Sequence, residues 1–212
     1  MRYPVLVTSV LAAVALAAPP VFARLGEPPP FGEHAPHVVP ADLGSMQAGD
    51  VIFLSAPKAL WARMASEWSL PQYRHGHVGM IVNGIDGQPM VAHASGDPTR
   101  SRATVRVVTV ERFLEDAETA SLFRMKDAAA APAAARRALW YARKNTLFDQ
   151  EFSLSNGEKL YCSELVWLAM SAALGRDVVP VKASAYARPV IKLSDLETSP
   201  DLVLVATARA PL

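Results

Sequence analysis

A single cysteine, Cys162, stands in the segment GEKLYCSELVWLAM and is the only thiol in 212 residues. The apolar residues that follow it recur at helical spacing, which predicts an amphipathic helix with the cysteine at or near its N-terminus. There, free N–H groups and the positive end of the helix dipole favour the thiolate that attacks carbonyl carbon, so we expect a lowered pKa. The same N–H groups can hold the oxyanion formed by that attack. Cys162 is therefore a candidate nucleophile, and a buried packing role is the alternative.

A thiol nucleophile needs a base, and the segment RHGHVGMIV offers two histidines. His77 directly precedes the apolar run at 78–82, which predicts a strand that would anchor its side chain. His75 lies between Arg74 and Gly76, where nothing in the flanking sequence ties it to a sheet. We therefore predict that His77 is the general base, and then the general acid, and that replacing His75 changes little.

A third histidine, His93, lies in the segment MVAHAS, after a glycine- and aspartate-containing turn that predicts a β-hairpin. A turn centred on Ile85 would place His93 opposite His77 on one face, where it could orient the imidazole as the third member of a triad. Moving the centre by half a residue would put His93 on the other face, and the sequence leaves this register open. A satisfied core or edge histidine is the alternative.

Two neighbours of Cys162 are further candidates for the oxyanion or substrate site. Tyr161, adjacent to the nucleophile, can supply a second donor to the oxyanion, although aromatic packing is an equal alternative. Glu164 lies in the first turn of the predicted helix, where a carboxylate complements the dipole.

Zinc binding is an alternative for four of these side chains, His75, His77, His93 and Cys162, because imidazoles and a thiolate are acceptable ligands. A zinc-bound thiolate would leave no nucleophile. The chain also lacks the close Cys/His and His-Glu-x-x-His spacings that are typical of zinc sites. We therefore expect no metal and no cofactor.

The first 23 residues contain one cation, Arg2, an apolar run at 5–18 and a small-x-small site at 21–23, which together predict a secretory signal peptide. An uncleaved membrane anchor is the alternative. Removing Arg2 with this segment leaves 20 of the 21 Lys and Arg residues against 20 Asp and Glu. This balance argues against nucleic acid or anionic membranes as partners. We expect a bacterial protein that is exported to the periplasm or secreted, without permanent membrane insertion after cleavage.

Residues 24–45 combine prolines with little apolar periodicity, which predicts a linker that folding does not require. From Met46 onward β-rich segments come first, helical segments follow, and DLVLVATA supplies a closing strand. A short helix is also predicted after Pro57, in PKALWARMASEW. This order favours one α+β domain over residues 46–212.

The segments QAGDVIFL, HVGMIV followed by VAHA, FDQEF and KLYCSELVW resemble the YiiX- and YaeF-like papain-like enzymes. These form the circularly permuted branch of the NlpC-type superfamily, which is related to lecithin retinol acyltransferase. The resemblance implies a papain-like α+β core in which the cysteine helix packs on an antiparallel sheet. It also implies a catalytic Cys–His pair with the histidine first, as in His77 before Cys162. The third polar position is often glutamate in this group and histidine in the acyltransferases, and here it is His93.

We interpret the chain as an exported cysteine hydrolase that cleaves amide bonds through an acyl-thioester on Cys162. The expected substrate is a peptide or acyl amide, and export together with the resemblance suggests peptidoglycan fragments. Lipid acyl transfer or deacylation by the same Cys–His pair is one alternative, because His93 resembles the acyltransferase arrangement. A non-catalytic binding domain of the same fold is the other.

Overall fold

A computed structural model describes residues 38–55, 66–96, 103–154, 158–185 and 187–211 of the chain. The strands in these ranges are β1 (Val51–Ser55), β2 (His77–Asn83), β3 (Pro89–Ala94), β4 (Val105–Thr109), β5 (Thr119–Met125), β6 (Leu147–Phe148), β7 (Lys159–Leu160), β8 (Ala183–Ala185), β9 (Arg188–Val190) and β10 (Leu202–Arg209). The helices are α1 (Val110–Leu114), α2 (Ala131–Arg143), α3 (Cys162–Leu174) and α4 (Leu193–Glu197). A 3-10 turn spans Pro40–Leu43.

A six-stranded antiparallel sheet in the order β10, β5, β1, β2, β3, β4 organises the described chain. Its central strand β1 is continuously apolar because both faces of the sheet are covered. Val51 and Phe53 belong to the core on one face, and Ile52 and Leu54 belong to the core on the other. Two-sided burial explains why GDVIFL lacks the alternation of a half-exposed strand.

The helices α2 and α3 cover one face of this sheet. Proline lies in the first turn of α2, where its missing N–H costs nothing. Gly175 ends α3 in the left-handed conformation, with φ of 65°. Leu165 and Ala169 of α3 are fully buried in the core that contains Val78 and Met80 of β2. The packing of α3 on β2 therefore determines where the start of α3, and with it Cys162, must lie.

The opposite face is covered by α1 and by residues 38–43, which corrects the predicted linker. Val38 and Leu43 are fully buried, and the Val38 N–H donates to the Ala117 carbonyl at 3.1 Å. Two apolar residues five positions apart form no periodic pattern, so composition alone concealed their burial. The folded region thus begins upstream of Met46. The predicted signal peptide, the rest of the predicted linker and most of the helix predicted after Pro57 lie outside the described residues.

The α+β class and the antiparallel sheet beneath the cysteine helix are confirmed. The structure adds the short strands β6 to β9 and helix α4, which the sequence patterns did not indicate. Within the described ranges, no helix has the length and apolar character needed to cross a membrane.

Candidate active site

Cys162 occupies the first position of α3, with Tyr161 as the N-cap residue. The backbone N–H groups of Val78, Ser163 and Cys162 and the Ser163 hydroxyl lie close enough to the sulfur to act on its pKa, so the thiol lies against the start of β2. Burial raises the pKa of the thiol to about 11, and the N–H donors offset this rise only in part. The lowered pKa expected from the helix N-terminus is therefore wrong for this state, because removing the sulfur from water outweighs its donors.

His77 and His93 lie together on the β2–β3 hairpin, in a register that differs from the predicted one. Met80 pairs with Ala92, so the hairpin centre lies one residue beyond Ile85. A shift of one whole residue keeps His93 on the face of His77, as a diagonal rather than a direct neighbour. Nε2 of His77 is 2.8 Å from Nδ1 of His93. We refer to these two side chains as the imidazole pair.

Gly79 provides the space that this diagonal contact requires. It follows His77 by two residues and therefore lies on the same face of β2. A Cβ atom at position 79 would lie 2.4 Å from Val91 Cγ1 and 3.3 Å from His93 Cβ. The glycine of the HVG segment is thus explained, because a side chain there would collide with the strand that carries His93.

Arg106 of β4 stands on the far side of His93, as its cross-strand partner. Its Nε donates to His93 Nε2 at 3.4 Å, and its Nη2 donates to Ser95 Oγ at 3.0 Å. The Phe113 ring of α1 packs against both imidazoles, with centroids 5.4 Å from His77 and 5.2 Å from His93. The imidazole pair is therefore enclosed between a cation and an apolar ring.

These surroundings keep both imidazoles neutral at pH 7. Burial, and after it the charge of Arg106, lowers the pKa of His77 to about 3. Burial is also the main reason that the pKa of His93 lies well below its ordinary range, followed by the repulsion that a protonated His77 would add and by the charge of Arg106. The resting site consequently contains a neutral thiol and two neutral imidazoles.

His75 lies in a buried network of its own. Its Nδ1 is 2.9 Å from Glu197 Oε1, and its Nε2 is 3.1 Å from Ser121 Oγ. The ring stacks between Phe53 and Tyr73, with centroids 5.2 and 5.1 Å away. The expectation of loose surroundings is therefore wrong. Three of these partners come from β1, β5 and α4, which are distant in sequence, and so the flanking residues could not reveal them.

The alternative zinc site is not assembled, because His75 is engaged by Glu197 and Ser121 instead of joining the imidazole pair. Across the part of the chain that the structure describes, no group of three His, Cys, Asp or Glu side chains could hold a metal ion.

Tyr161 is fully buried, and its ring packs against Trp68 and Phe152 with centroids 6.4 and 5.3 Å away. Its hydroxyl accepts a hydrogen bond from the Ile191 N–H at 2.7 Å. Burial raises the pKa of this hydroxyl, which keeps it neutral. These contacts fit the packing alternative better than an oxyanion role, since backbone N–H groups already reach the Cys162 sulfur.

Glu164 is fully buried in the first turn of α3, and among the described residues neither of its carboxyl oxygens has a hydrogen-bond partner. Burial raises its pKa to about 8. The backbone N–H of Tyr161, which is nearby but does not make a full hydrogen bond, offsets part of this rise, and the charge of Asp149 adds to it. A largely protonated carboxyl does not complement a helix dipole, so the dipole role expected of Glu164 does not fit this environment.

The profile of one protein family, described as permuted papain-like amidase enzyme, YaeF/YiiX, C92 family, matches residues 45–188, more than half of the chain. The chain belongs to this family. The resemblance drawn from the sequence motifs is thereby confirmed, and so is the permuted papain-like fold.

A solved structure with this fold is that of the metalloprotein YiiX from Escherichia coli O157:H7. The similarity covers 77% of this chain and 98% of that chain, with a TM-score of 0.61 and 22% sequence identity. At this identity the likeness shows the fold alone. No curated protein matches the sequence.

Sequence reasoning missed three features of this permuted papain-like site. Arg106 alternates with valines in ATVRVVTV, and its contact with His93 follows only once the β3–β4 register is known. The role of Gly79 likewise depends on the hairpin register. Asp149 of the FDQEF segment is buried, and its carboxylate accepts from the backbone N–H groups of Glu151 and Ser153 at 2.9 and 2.8 Å. An aspartate just ahead of an otherwise irregular loop was the available signal for that last contact.

Proposed function

We propose that the chain is an exported thiol-dependent hydrolase that cleaves amide bonds through an acyl-thioester on Cys162. One observation carries the proposal. Cys162 begins α3, and its sulfur lies near enough to the N–H of Val78, the residue that follows His77, for that N–H to act on the pKa of the thiol. The N-terminus of the cysteine helix therefore lies at the end of β2 that begins with His77, whose ring packs against Phe113 on the other face of the sheet in this state. Membership of the permuted papain-like amidases supports an amide as the bond that is cleaved.

In the proposed reaction, Cys162 Sγ attacks the carbonyl carbon while its proton passes to Nδ1 of His77, the ring nitrogen that His93 does not occupy. The carbonyl oxygen becomes negative, and the N–H groups of Val78 and Cys162 are the donors proposed to hold it. The C–N bond then breaks, and His77 returns its proton to the leaving amine. Water, deprotonated by His77, attacks the acyl-thioester and releases the acid and the thiol.

His93 acts in this scheme as a positioning residue, because it contacts the His77 ring and not the reacting atoms. Since the resting thiol and imidazoles are neutral, proton transfer accompanies attack and does not precede it. The site therefore resembles a serine hydrolase in its protonation more than an enzyme with a preformed thiolate–imidazolium pair.

Aromatic side chains beside the nucleophile suit the apolar part of an acyl substrate. Trp68 and Phe152 are partly exposed, pack on each other at 5.5 Å between centroids, and contact Tyr161, the neighbour of Cys162. Apolar walls with a few polar groups are typical of small-substrate sites. Export and the amidase family together support cell-wall peptides as the physiological amides.

Intact-mass detection of an acyl adduct tests this function. The folded protein is incubated separately with peptidoglycan fragments and with phospholipid vesicles. Each reaction is quenched in acid, and the intact mass of the protein is measured. We expect peptidoglycan fragments to acylate Cys162, and we expect neither Cys162→Ala nor His77→Ala to form the adduct. His93→Ala should retain part of the rate, because the base remains but is misaligned.

The two substrate pools separate the alternatives. An adduct from phospholipid alone would favour lipid deacylation or acyl transfer by the same Cys–His pair. Absence of any adduct, together with an alkylation rate of Cys162 that His77→Ala leaves unchanged, would contradict a catalytic site and favour a binding domain.

A further inference from the structure

Arg106 determines the direction in which hydrogen bonds run along the imidazole pair, because a guanidinium can only donate. Its Nε–H is directed at His93 Nε2 at 3.4 Å, so that nitrogen accepts and carries no proton. A neutral imidazole has one N–H, and His93 therefore carries it on Nδ1. That N–H donates to His77 Nε2, 2.8 Å away.

The same argument assigns the tautomer of His77. Because its Nε2 accepts from His93, neutral His77 carries its own proton on Nδ1. Nδ1 is the nitrogen that would receive the thiol proton in the proposed reaction, and in this arrangement it is already protonated. The productive tautomer requires a proton on His93 Nε2, which would face the Nε–H of Arg106. Two donors would then be in contact, so Arg106 opposes the state that catalysis needs.

We propose that Arg106 holds the imidazole pair in the tautomers that cannot accept the Cys162 proton, and that a carboxylate on the substrate releases the pair by taking the guanidinium. The inference rests on the proposed function and names its substrate class, which is acyl amides that carry a carboxylate. Such a group can accept two parallel N–H bonds from a guanidinium, whereas one imidazole nitrogen accepts a single bond. Once released, His93 can carry its proton on Nε2 and accept from the Nε2–H of His77, which leaves His77 Nδ1 unprotonated.

The position of Arg106 suits this role. It lies on β4, an edge strand of the main sheet, and its side chain is only partly buried, so a substrate group can approach it. Pairing with a carboxylate would also neutralise the charge that contributes to the low pKa of His77. Both effects act in the same direction, toward a stronger base at His77.

Alkylation of the full chain tests the proposal, because intact mass then reports on Cys162, the single cysteine. Iodoacetamide and iodoacetate have nearly the same shape, and only the second carries a carboxylate. In both reactions Sγ displaces iodide and the thiol proton passes to His77. We expect Arg106→Gln to raise the iodoacetamide rate at pH 7 by about tenfold or more, the factor of one pKa unit. The preference of the wild type for iodoacetate over iodoacetamide should be greater than that of Arg106→Gln.

A second variant keeps the Arg106 guanidinium and replaces His93, so that two donors no longer meet. In His93→Glu, the carboxylate can accept from Arg106 and from His77 at the same time, so the N–H of His77 can lie on Nε2. We expect its iodoacetamide rate to rise as well. Arg112→Gln is the matched control, because it removes an exposed guanidinium from α1 that pairs with Glu115. That variant should leave both rates unchanged.

Long-range ¹H–¹⁵N spectra of histidine-labelled protein report the tautomers directly. We expect His77 to carry its proton on Nδ1 in the wild type and on Nε2 in Arg106→Gln. A role of Arg106 confined to packing would change stability without moving the proton.

Three results would overturn all or part of the inference. An iodoacetamide rate that is unchanged or slower in folded Arg106→Gln would overturn the proposal that Arg106 restrains the tautomers of the imidazole pair. A wild-type His77 protonated on Nε2 would overturn it as well. If the ratio of the iodoacetate rate to the iodoacetamide rate is the same in the wild type and in Arg106→Gln, the proposal that a carboxylate releases the imidazole pair is overturned. Failure of the proposed function is distinguishable, because His77→Ala would then alkylate as fast as the wild type.

Discussion

Nε2 of His77 lies 2.8 Å from Nδ1 of His93, although the two residues stand diagonally across the β2–β3 hairpin. Diagonal neighbours on one face of a sheet stand about 7–8 Å apart, a separation that aromatic side chains can bridge. Gly79 comes opposite His93 in this register, and its missing side chain lets β3 approach closely enough for the two rings to touch. The contact is therefore a joint product of hairpin register and one missing side chain.

Gly79→Ala should break this contact while the fold survives. The added Cβ would lie 2.4 Å from Val91 Cγ1 and 3.3 Å from His93 Cβ, so β3 must shift away. We expect a loss of about 1–3 kcal/mol in the free energy of unfolding, typical of overpacking, measured by urea denaturation. Histidine ¹⁵N spectra should also show that the His77–His93 hydrogen bond is lost.

The control for this variant is Gly84→Ala in the same hairpin. Its Cβ would meet two flexible side-chain atoms, Asp86 Oδ1 at 3.0 Å and Met90 Cγ at 3.2 Å, and the Gln88 carbonyl at 3.3 Å. We expect a smaller loss of stability and an unchanged imidazole pair. Unchanged histidine spectra in Gly79→Ala would contradict the role assigned to this glycine.

The pH dependence of Cys162 alkylation should distinguish the buried thiol from an ordinary one. Burial raises the pKa of Cys162 to about 11, so the rate should keep rising with pH well beyond the ordinary value of about 8.5. The same chain in denaturant supplies the control, because its solvated thiol should titrate near that ordinary value. An inflection below about 8.5 in the folded protein would show that the N–H donors outweigh burial after all.

The features that could be predicted from the sequence are those encoded by neighbouring residues. The strand before Asn83, the helix after Cys162 and the same-face position of His93 follow from periodicity and parity, which neighbouring residues encode. The environment of His75 comes from elements far away in the chain, so its flanks gave the wrong answer. The predicted lowering of the Cys162 pKa was wrong for a related reason. A helix N-terminus is visible in sequence, whereas the depth of burial depends on the packing of α3 against β2.

His75→Ala should destabilise the fold, contrary to what its flanking residues indicate. The substitution removes a ring stacked between two aromatic side chains and takes one partner from the buried carboxylate of Glu197. We expect a loss of about 2–4 kcal/mol in the free energy of unfolding, measured by urea denaturation.

A double-mutant cycle with Glu197→Gln isolates the contact between the two side chains. We expect a coupling energy of about 0.5–3 kcal/mol, because the His75–Glu197 hydrogen bond is buried. Additive losses in the cycle would mean that only ring packing matters. An unchanged free energy of unfolding in His75→Ala would rule out the network as a stabilising feature.

Glu164→Gln should change how stability depends on pH. Burial raises the pKa of Glu164 from an ordinary value of 4.5 to about 8 in the folded chain. Between these values the folded state binds the proton and the unfolded state releases it. The wild type therefore loses stability as pH rises, by about 1.4 kcal/mol per pH unit at most, and the loss is complete above pH 8. Glutamine cannot ionise, so the variant should become more stable than the wild type by a margin that grows from pH 5 to pH 8.

Glu111→Gln, at an exposed position of α1, is the matched control and should show no such trend. The measurement is urea unfolding of all three proteins at several pH values. A difference between Glu164→Gln and the wild type that stays constant with pH would mean that Glu164 ionises equally in both states.

The N-terminal boundary of the fold can be tested at Leu43. This side chain is fully buried against the sheet face that α1 also covers, so Leu43→Ala should lower the free energy of unfolding by about 2–5 kcal/mol. Val39 lies in the same segment but is 42% exposed, and Val39→Ala should cost no more than about 0.5 kcal/mol. Deleting residues 24–45 removes both Val38 and Leu43 from the core and should lower the melting temperature sharply. Equal stability of Leu43→Ala and Val39→Ala would instead support the prediction from composition that residues 24–45 form a linker that folding does not require.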